Sequence, residues 1–294
     1  ERMARLFGME AAIFCPSGTM TNQIAMRMLT EPQDEVICHK YSHVYMYEVG
    51  GMMSNSALSP KLLEGDRGRI TAEQIDQSIN PDDIHYPVTK LVVLENTMNK
   101  GGGSIYDLEE IKKIRSVCQR HKLHLDGARL FNALVETEET PSQYGQLFDS
   151  ISICFSKGLG APVGSVLLGS ATEIKKAKRI RKAFGGGMRQ AGYLAAACLY
   201  ALDNHVDRLK EDHARARKIG ELLRSKSFVS DVYPVDTNIV IAELTGIEVQ
   251  DFLKKLADKN VFAVKFGSNL VRFVTHLDFI DDHLMRFEAT LRNL

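Results

Sequence analysis

A single lysine follows an apolar run in the stretch Ser150–Pro162, whose sequence is SISICFSKGLGAP. Residues Ser150–Phe155 predict a buried strand, because a short apolar run is typical of a strand that is covered on both faces. The glycines after Lys157 predict a loop in which the backbone can approach a ligand closely. We therefore expect Lys157 at the end of a rigid element, beside a loop that admits a ligand. The alternative is an ordinary solvated loop lysine.

Strand patterns and helix patterns alternate along the chain, which predicts an α/β fold with a mostly parallel sheet. The predicted strands are Glu10–Cys15, Glu35–Cys38, Leu91–Glu95, Lys122–Leu125, Ser150–Phe155, Ser165–Gly169, Asn238–Ala242, Val261–Lys265 and Leu270–Thr275. The predicted helices include Met20–Leu29, one capped by Asp107, Glu173–Lys182, Gln190–Leu202 and Val249–Ala257. We expect a large domain over residues 1–207 and a smaller C-terminal α/β domain over residues 208–294.

The composition is that of a soluble globular protein. The chain has 294 residues, of which 44% are hydrophobic and 25% charged. Its 37 lysines and arginines balance its 37 aspartates and glutamates, so no net field favours nucleic acid or an anionic membrane as a partner. The five scattered cysteines indicate reduced core residues of a cytoplasmic protein. Residues Glu1–Phe7 resemble the middle of an amphipathic helix, so we expect the natural chain to begin earlier.

A carboxylate and a guanidinium follow a second apolar strand, in the run His124–Arg129. Asp126 is expected at the carboxyl edge of the sheet, where open α/β sheets bind ligands. A buried carboxylate needs a cationic partner, which is either Arg129 or a protonated heterocyclic nitrogen. An amine on Lys157, an acid for a ring nitrogen and a cation for an oxyanion together form the working set of a pyridoxal-phosphate (PLP) enzyme.

Two further segments fit the same cofactor. Ser17-Gly18-Thr19 lies between a predicted strand and a helix start, where backbone N–H groups can bind a phosphate. Taken alone, the tripeptide is more typical of a capped turn. His43 follows the second strand and offers a flat imidazole that can stack on a ring or act as a base near neutral pH, although a lone histidine is more often structural. The glycine runs lack the spacing of a nucleotide-binding loop.

Together these motifs resemble the low-specificity L-threonine aldolases, which are fold-type-I PLP enzymes of the β-eliminating lyase group. The resemblance covers essentially the whole chain, and the order and spacing of the motifs carry it. The resembling stretches are Pro16–Met20, His43 with Tyr47-Glu48 and Gly50-Gly51, Leu94–Thr97, Gly102-Gly103, Leu125–Ala133, Ser156–Ser165, Gly186–Gly192 and Val271–His276. The resemblance implies a fold-type-I, PLP-dependent transferase-like architecture that assembles as a homodimer or a homotetramer.

The resemblance also implies a role for each candidate cofactor residue. It implies that Lys157 holds PLP as a Schiff base and that Gly18-Thr19 binds the phosphate. In the same way it implies that Asp126 contacts the pyridine nitrogen and Arg129 the phenolic oxygen. His43 is implied to stack on the ring.

The implied substrate is a small β-hydroxy-α-amino acid. Arg272, from the smaller domain, is implied to bind its carboxylate, a task that suits a planar donor with two parallel N–H groups. The implied reaction is the retro-aldol cleavage of L-threonine or L-allo-threonine to glycine and acetaldehyde, with His43 as a candidate base acting directly or through water.

Two features depart from the family pattern. The family carries a few dozen earlier residues with a Ser-Asp-Thr-like segment, and Met98 occupies a position that is commonly histidine. That histidine is a candidate for activating the water or the substrate hydroxyl, so Met98 leaves the base assignment open. The alternatives are a PLP-dependent β-eliminating lyase acting on another amino acid, and a PLP-binding protein with impaired catalysis.

Overall fold

The structure is a computed structural model that describes residues 1–292 and residue 294. These residues form a seven-stranded and a four-stranded β-sheet with surrounding helices. The strands are β1 Ala11–Cys15, β2 Glu35–His39, β3 Ser59–Leu63, β4 Thr89–Glu95, β5 Lys122–Gly127, β6 Ser150–Cys154, β7 Ser165–Gly169, β8 Val229–Val232, β9 Ile239–Leu244, β10 Val264–Lys265 and β11 Leu270–Val274. The helices are α1 Arg2–Phe7, α2 Gly18–Leu29, α3 His43–Met46, α4 Gly51–Ser56, α5 Ala72–Asp76, α6 Leu108–Val117, α7 Leu130–Thr137, α8 Pro141–Leu147, α9 Ala171–Ala183, α10 Gly192–Asn204, α11 Leu209–Arg224, α12 Val249–Ala257 and α13 Asp281–Arg292, with a 3₁₀ turn at Cys118–Arg120.

The large sheet has the strand order β1-β7-β6-β5-β4-β2-β3. Strands β3, β2, β4, β5 and β6 run parallel, and β7 is antiparallel to both of its neighbours. The prediction of a mostly parallel α/β sheet is therefore confirmed. Because the parallel strands end at the same edge, the side chains that follow β4, β5 and β6 are collected on one side of the sheet.

Both faces of the large sheet are covered by apolar cores. In β4, Val92 and Leu94 belong to one buried cluster, while Leu91 and Val93 belong to another. Successive strand residues point to opposite faces, so these two clusters lie on the two sides of the sheet. A strand buried on both faces reads as a continuous apolar run, which is why β4 and β6 are recognisable in the sequence.

The second sheet is antiparallel, with the order β10-β11-β9-β8. Its own core includes Phe252 of α12, Phe273 of β11 and Phe287 of α13. Arg67 connects this part of the molecule to the large sheet. The guanidinium of Arg67 donates to the carbonyl oxygen of Gly101 at 2.9 Å and to a carboxylate oxygen of Asp236 at 2.8 Å.

Several predicted elements have the observed bounds, among them β7 and α12, and others differ by a few residues at their ends. The predicted strand Val261–Lys265 is shorter than expected, since only Val264–Lys265 pairs with β11. The sequence reading missed β3, where Pro60 argues against a strand. The structure tolerates this proline because β3 is at the edge of the sheet.

The helices and the cysteines were compared with what a membrane span or a disulfide would require. In the described part of the chain no helix is long and apolar enough to cross a membrane. All five cysteines are buried and free.

Candidate active site

Two carboxylates stand side by side at the carboxyl edge of the large sheet. Glu95 ends β4, Asp126 lies near the end of β5, and the two residues are paired in the register of these strands. Both are buried, with 7% and 3% of their surface exposed. Lys157 follows the next strand, β6, by three residues and is half-buried in a tight turn, in which its carbonyl oxygen accepts from the N–H of Gly160 at 2.9 Å. The strand order thus brings Asp126 and the Lys157 loop to the same edge.

Asp126 is held by uncharged donors. Its Oδ2 accepts a hydrogen bond from Nδ2 of Asn22 at 2.9 Å, and its Oδ1 accepts from the backbone N–H of Ala128 at 3.1 Å. No ion pair within 4.0 Å joins Asp126 to Arg129 among the described residues, so the simple pairing of these two residues is not realised. The carboxylate is fixed in place and keeps acceptor capacity for another cation.

Asn22, on α2, is a hub that the sequence reading did not identify. Its Nδ2 also donates to Glu48 at 2.9 Å, and its Oδ1 faces Nε2 of His124 at 3.1 Å. Because Oδ1 of Asn22 can only accept, His124 must donate from Nε2 and accept at Nδ1 from the hydroxyl of Ser150, 2.7 Å away. Burial lowers the pKa of His124 to about 4, which keeps it neutral at physiological pH. The expected packed strand histidine is therefore also part of the hydrogen-bond support of Asp126.

His43 begins the short helix α3 and is half-buried. Its Nδ1 lies 3.0 Å from Oε1 of Glu48, and this hydrogen bond is the main reason that the pKa of His43 is raised. With the Nδ1 proton directed at Glu48, a neutral His43 carries its lone pair on Nε2. The geometry therefore provides a strengthened base whose reactive nitrogen is fixed.

The oxygen and nitrogen atoms of His43, Glu48 and Asp126 lie within 4.8 Å of one another, the spacing of a metal site. The hydrogen bonds of Asn22 to both carboxylates and of His43 to Glu48 already account for this cluster. We therefore interpret it as a polar network and not as a metal centre.

Two guanidinium groups approach this edge without full pairing. Arg129 lies just after β5, Arg272 lies on β11 of the small sheet, and both side chains are half-buried. In each, Nε is buried without a hydrogen-bond partner among the described residues. Burial, and then the charge of Arg129, lower the pKa of Arg272. Buried donors that lack acceptors are costly, so the site is arranged to receive anionic or oxygen-rich groups.

Arg272 is oriented from two sides. Its Nη1 donates to Oδ1 of Asn99 at 2.7 Å, and its guanidinium carbon lies 4.7 Å from the ring centre of Phe266. A guanidinium stacked on an aromatic face and anchored at one nitrogen keeps its remaining N–H groups for a bidentate acceptor.

The segment Ser17-Gly18-Thr19 forms the start of α2. Ser17 is the N-cap, and its Oγ accepts from the N–H of Met20 at 3.2 Å. The capped turn expected from the tripeptide alone is thus present. The N–H groups of Gly18 and Thr19 precede the first backbone bond of the helix, which Thr21 makes to Ser17. They can bind an anion without competing with the cap.

The surroundings of Gly18 fit a phosphate. A Cβ atom at Gly18 would come no closer than 3.7 Å to its nearest neighbour, Oγ of Ser165. That hydroxyl is buried and has no hydrogen-bond partner in the described part of the chain. An unpaired buried hydroxyl beside an open glycine and free helix N–H groups is consistent with a phosphate cradle.

The predicted site residues therefore occupy one edge of the large sheet, with Arg272 reaching it from the small sheet. The sequence alone assigned no role to four residues whose hydrogen bonds hold the predicted site residues in place, namely Asn22, Glu48, Glu95 and Asn99. The polar run Thr21-Asn22-Gln23 inside an otherwise apolar helix was the available signal, since a helix face that is buried and polar needs partners.

The fold and these residues define a class of enzyme. Residues 1–246 match the sequence model of the family described as "Beta-eliminating lyase", and the chain belongs to this family. Members of the family are PLP enzymes. The unpartnered Nε groups of Arg129 and Arg272 and the open glycine turn, at the edge of the sheet that also holds Asp126, fit such a cofactor.

Within the family, the chain is similar to low-specificity L-threonine aldolases. The chain is 40% identical over 291 residues to "Probable low-specificity L-threonine aldolase 2" of Arabidopsis thaliana, a match that covers 96% of this chain and 82% of the relative. It is 40% identical over 295 residues to "Low specificity L-threonine aldolase" of Escherichia coli strain K12, covering 98% and 86% of the two chains. These relatives confirm the family resemblance expected from the sequence motifs.

Solved structures agree with the fold. A putative L-allo-threonine aldolase from Listeria monocytogenes has a TM-score of 0.84 and 24% identity, covering 99% of this chain and 84% of that one. A putative aromatic amino acid beta-eliminating lyase/threonine aldolase from Exiguobacterium has a TM-score of 0.84 and 25% identity, covering 99% and 85%. The expected fold-type-I architecture is thereby confirmed.

Proposed function

We propose that this protein cleaves L-threonine or L-allo-threonine to glycine and acetaldehyde by retro-aldol chemistry with PLP. The observation that carries the proposal is the pair of incompletely bonded guanidinium groups, Arg129 and Arg272, at the sheet edge that holds Asp126. The 40% identity to low-specificity L-threonine aldolases over nearly the whole chain supports the choice of substrate.

The cofactor would be held by residues of the large sheet and its helices. Lys157 would carry it through its amine, and Ser17, Gly18 and Thr19 would bind its phosphate. Asp126 would hold the proton of the pyridine nitrogen, Arg129 would donate to the phenolic oxygen, and His43 would lie against the ring. When bound, PLP supplies a protonated ring that withdraws electrons from the bonds of the substrate Cα.

The substrate would be oriented by Arg272. Its free guanidinium N–H groups would bind the carboxylate in a bidentate manner, so that the Cα–Cβ bond is held in a fixed direction. Asn99 and Phe266 support this side chain and limit its rotation. Removing Arg272 should therefore raise KM more than it lowers kcat.

His43 would take the proton of the β-hydroxyl group, directly or through a water molecule. Glu48 raises the pKa of His43 and directs its lone pair to Nε2, both of which favour proton transfer. Met98, at the position that the family commonly gives to histidine, is fully buried against Gly68, and its thioether accepts no proton at neutral pH.

Two other functions are distinguished by their products. The name of the matching family favours β-elimination on another amino acid as the second candidate. Met98 favours a PLP-binding protein with impaired catalysis as the third. The holoenzyme is incubated with L-threonine and with L-allo-threonine, and the products are quantified. Equal amounts of glycine and acetaldehyde support the aldolase. A keto acid with ammonia supports elimination, and bound cofactor without any product supports the third candidate.

The wider organisation is also part of this proposal. Residues 1–207 would form the cofactor domain, and residues 208–294 a smaller domain that contributes Arg272. Helix α10 exposes Tyr193, Leu199 and Tyr200, an apolar surface that suits assembly as a homodimer or homotetramer. Five free, buried cysteines suit the reducing cytoplasm. Light scattering on the purified holoenzyme tests the assembly, and a monomer at micromolar concentration would contradict it.

A further inference from the structure

One buried carboxylate, Glu95, connects two loops of the candidate site. Its Oε2 accepts the backbone N–H of His43 at 2.7 Å, and its Oε1 accepts the backbone N–H of Asn99 at 2.9 Å. The two donors are 56 positions apart in the sequence and belong to different loops. Each carboxylate oxygen therefore fixes one loop, and the rigid end of β4 sets the distance between them.

Both loops lead directly to residues that would contact the substrate or cofactor. His43 is itself the proposed base, so its main chain is held by Glu95 and its ring by Glu48. Asn99 accepts from Nη1 of Arg272, the proposed carboxylate-binding group. The side chain of Glu95 is thus hydrogen-bonded directly to His43, and it is connected to Arg272 by two successive hydrogen bonds through Asn99.

The charges around Glu95 make this position costly to maintain. Asp126 is its register partner on β5, and the ionisable groups of His43, Arg129 and Tyr106 also lie close enough to interact with it. Burial, and then the negative charge of Asp126, raise the pKa of Glu95 to about 7. Two backbone hydrogen bonds offset part of this cost, and they tie the carboxylate to both loops.

We propose that Glu95 is a positioning residue which fixes His43 and, through Asn99, Arg272 in the arrangement needed for the aldol cleavage. This inference rests on the proposed function for the identity of the reaction. The positional coupling can also be measured through ligand binding, independently of turnover.

The test compares Glu95→Gln with the matched control Glu110→Gln. Glutamine keeps one acceptor oxygen but presents an N–H₂ group to the second backbone N–H, so one loop loses its acceptor. Glu110, on α6, likewise accepts a backbone N–H, that of Ala72 at 2.8 Å, but contacts none of the proposed site residues. Glycine is titrated into each holoenzyme by calorimetry, and kcat and KM for L-threonine are measured beside it.

At pH 8, above the pKa of Glu95, we expect Glu95→Gln to raise the glycine Kd and the threonine KM at least about fivefold and to lower kcat by a similar factor, because a lost charged hydrogen bond displaces a loop. Glu110→Gln should leave all three values within about twofold, as expected of a substitution outside the site. A Glu95→Gln variant with a lower melting temperature but unchanged Kd, KM and kcat would reduce Glu95 to a structural role and overturn the proposal.

A double-mutant cycle with Asn99→Ala tests the path to Arg272. If Glu95 acts on substrate binding through Asn99, the increase in KM from Glu95→Gln should largely disappear when Asn99 is already alanine. Independent, additive effects would overturn that path. If Glu95→Gln does not fold, the same measurements are made on Glu95→Asp, which keeps the carboxylate but has a side chain shorter by one methylene group. A wild-type holoenzyme that binds glycine but releases no acetaldehyde would refute the proposed function, while the glycine titrations would still decide the role of Glu95.

Discussion

Glu95 and Asp126 occupy paired positions at the carboxyl ends of neighbouring parallel strands, and both carboxyl groups are buried. Two like charges in a poorly hydrated place cannot both ionise without cost. The structure resolves this conflict by giving Asp126 the donors Asn22 and Ala128, while the pKa of Glu95 rises to about 7.

This conflict predicts an unusual pH dependence of stability. The folded-state pKa of Glu95, about 7, is above its ordinary value of 4.5, so the folded protein binds more protons than the unfolded chain between these pH values. The contribution of Glu95 to the unfolding free energy is therefore present below pH 4.5 and falls as the pH rises to 7, by at most about 1.4 kcal/mol per pH unit.

Glu95→Gln should remove this slope. The unfolding free energy of the apo-protein is measured with urea at pH 5, 6 and 7. As the pH rises, it should fall more in the wild type than in the variant. A difference that stays constant over this range would contradict the raised pKa.

A second prediction concerns the pH profile of catalysis. Glu48 raises the pKa of His43, and His43 must be neutral to accept a proton. Activity should therefore fall as the pH falls through the pKa of His43. Glu48→Gln removes the charge that favours the protonated ring, so the acid limb of kcat/KM should move to lower pH. An unchanged acid limb in this variant would contradict the assignment of His43 as the group that accepts the proton.

A third prediction concerns the hub residue Asn22. Its replacement by alanine removes one donor from Asp126 and one from Glu48, and it leaves Nε2 of His124 without its acceptor. The loss of these buried hydrogen bonds should lower the unfolding free energy by about 2–4 kcal/mol and weaken PLP binding. The matched control is Asn80→Ala, because the half-buried Asn80 donates to the carbonyl oxygen of Pro87 at 2.9 Å, outside the network of Asn22. Chemical denaturation and PLP titration of the apo-proteins measure both effects. Equal, small losses in the two variants would refute the hub role.

A fourth prediction concerns Met98. Because its side chain is fully buried and accepts no proton, leucine should replace it with a loss of less than about 1.5 kcal/mol in stability, as for other volume-conserving changes. The kcat for L-threonine should stay within about twofold of the wild-type value. A tenfold or greater loss of kcat at unchanged stability would indicate that the thioether itself takes part in the reaction.

Much of this site can be read from the sequence, for physical reasons that concern particular residues. Asp126 lies near the end of β5 and Lys157 three residues after β6, and the apolar runs of both strands are clear in the sequence. Parallel strands bring such residues to one edge of the sheet. The reading fails where the partner is distant in the chain. Asn99 and Glu95 look like ordinary strand-end polar residues until folding places the backbone N–H of His43 and the guanidinium of Arg272 beside them.

The fold was recognisable for similar reasons, and its misses have local causes. Strand β3 contains a proline that only an edge position tolerates. Strand β8 has only four residues, with two exposed polar residues at its centre, and carries little apolar signal. Asn22 is a polar residue of α2 that is buried because it bonds to Asp126 and His124 of β5. The spacing of apolar residues along a helix does not predict such a contact.

The most direct test of the account is the simultaneous assay of glycine and acetaldehyde released from L-threonine by the wild-type holoenzyme and by Lys157→Ala. We predict equal amounts of the two products from the wild type, and a loss of at least about three orders of magnitude in the variant because the amine that carries the cofactor is gone. Unequal products, or a Lys157→Ala variant that retains full activity, would contradict the assignment of Lys157 and the aldol reaction built on it.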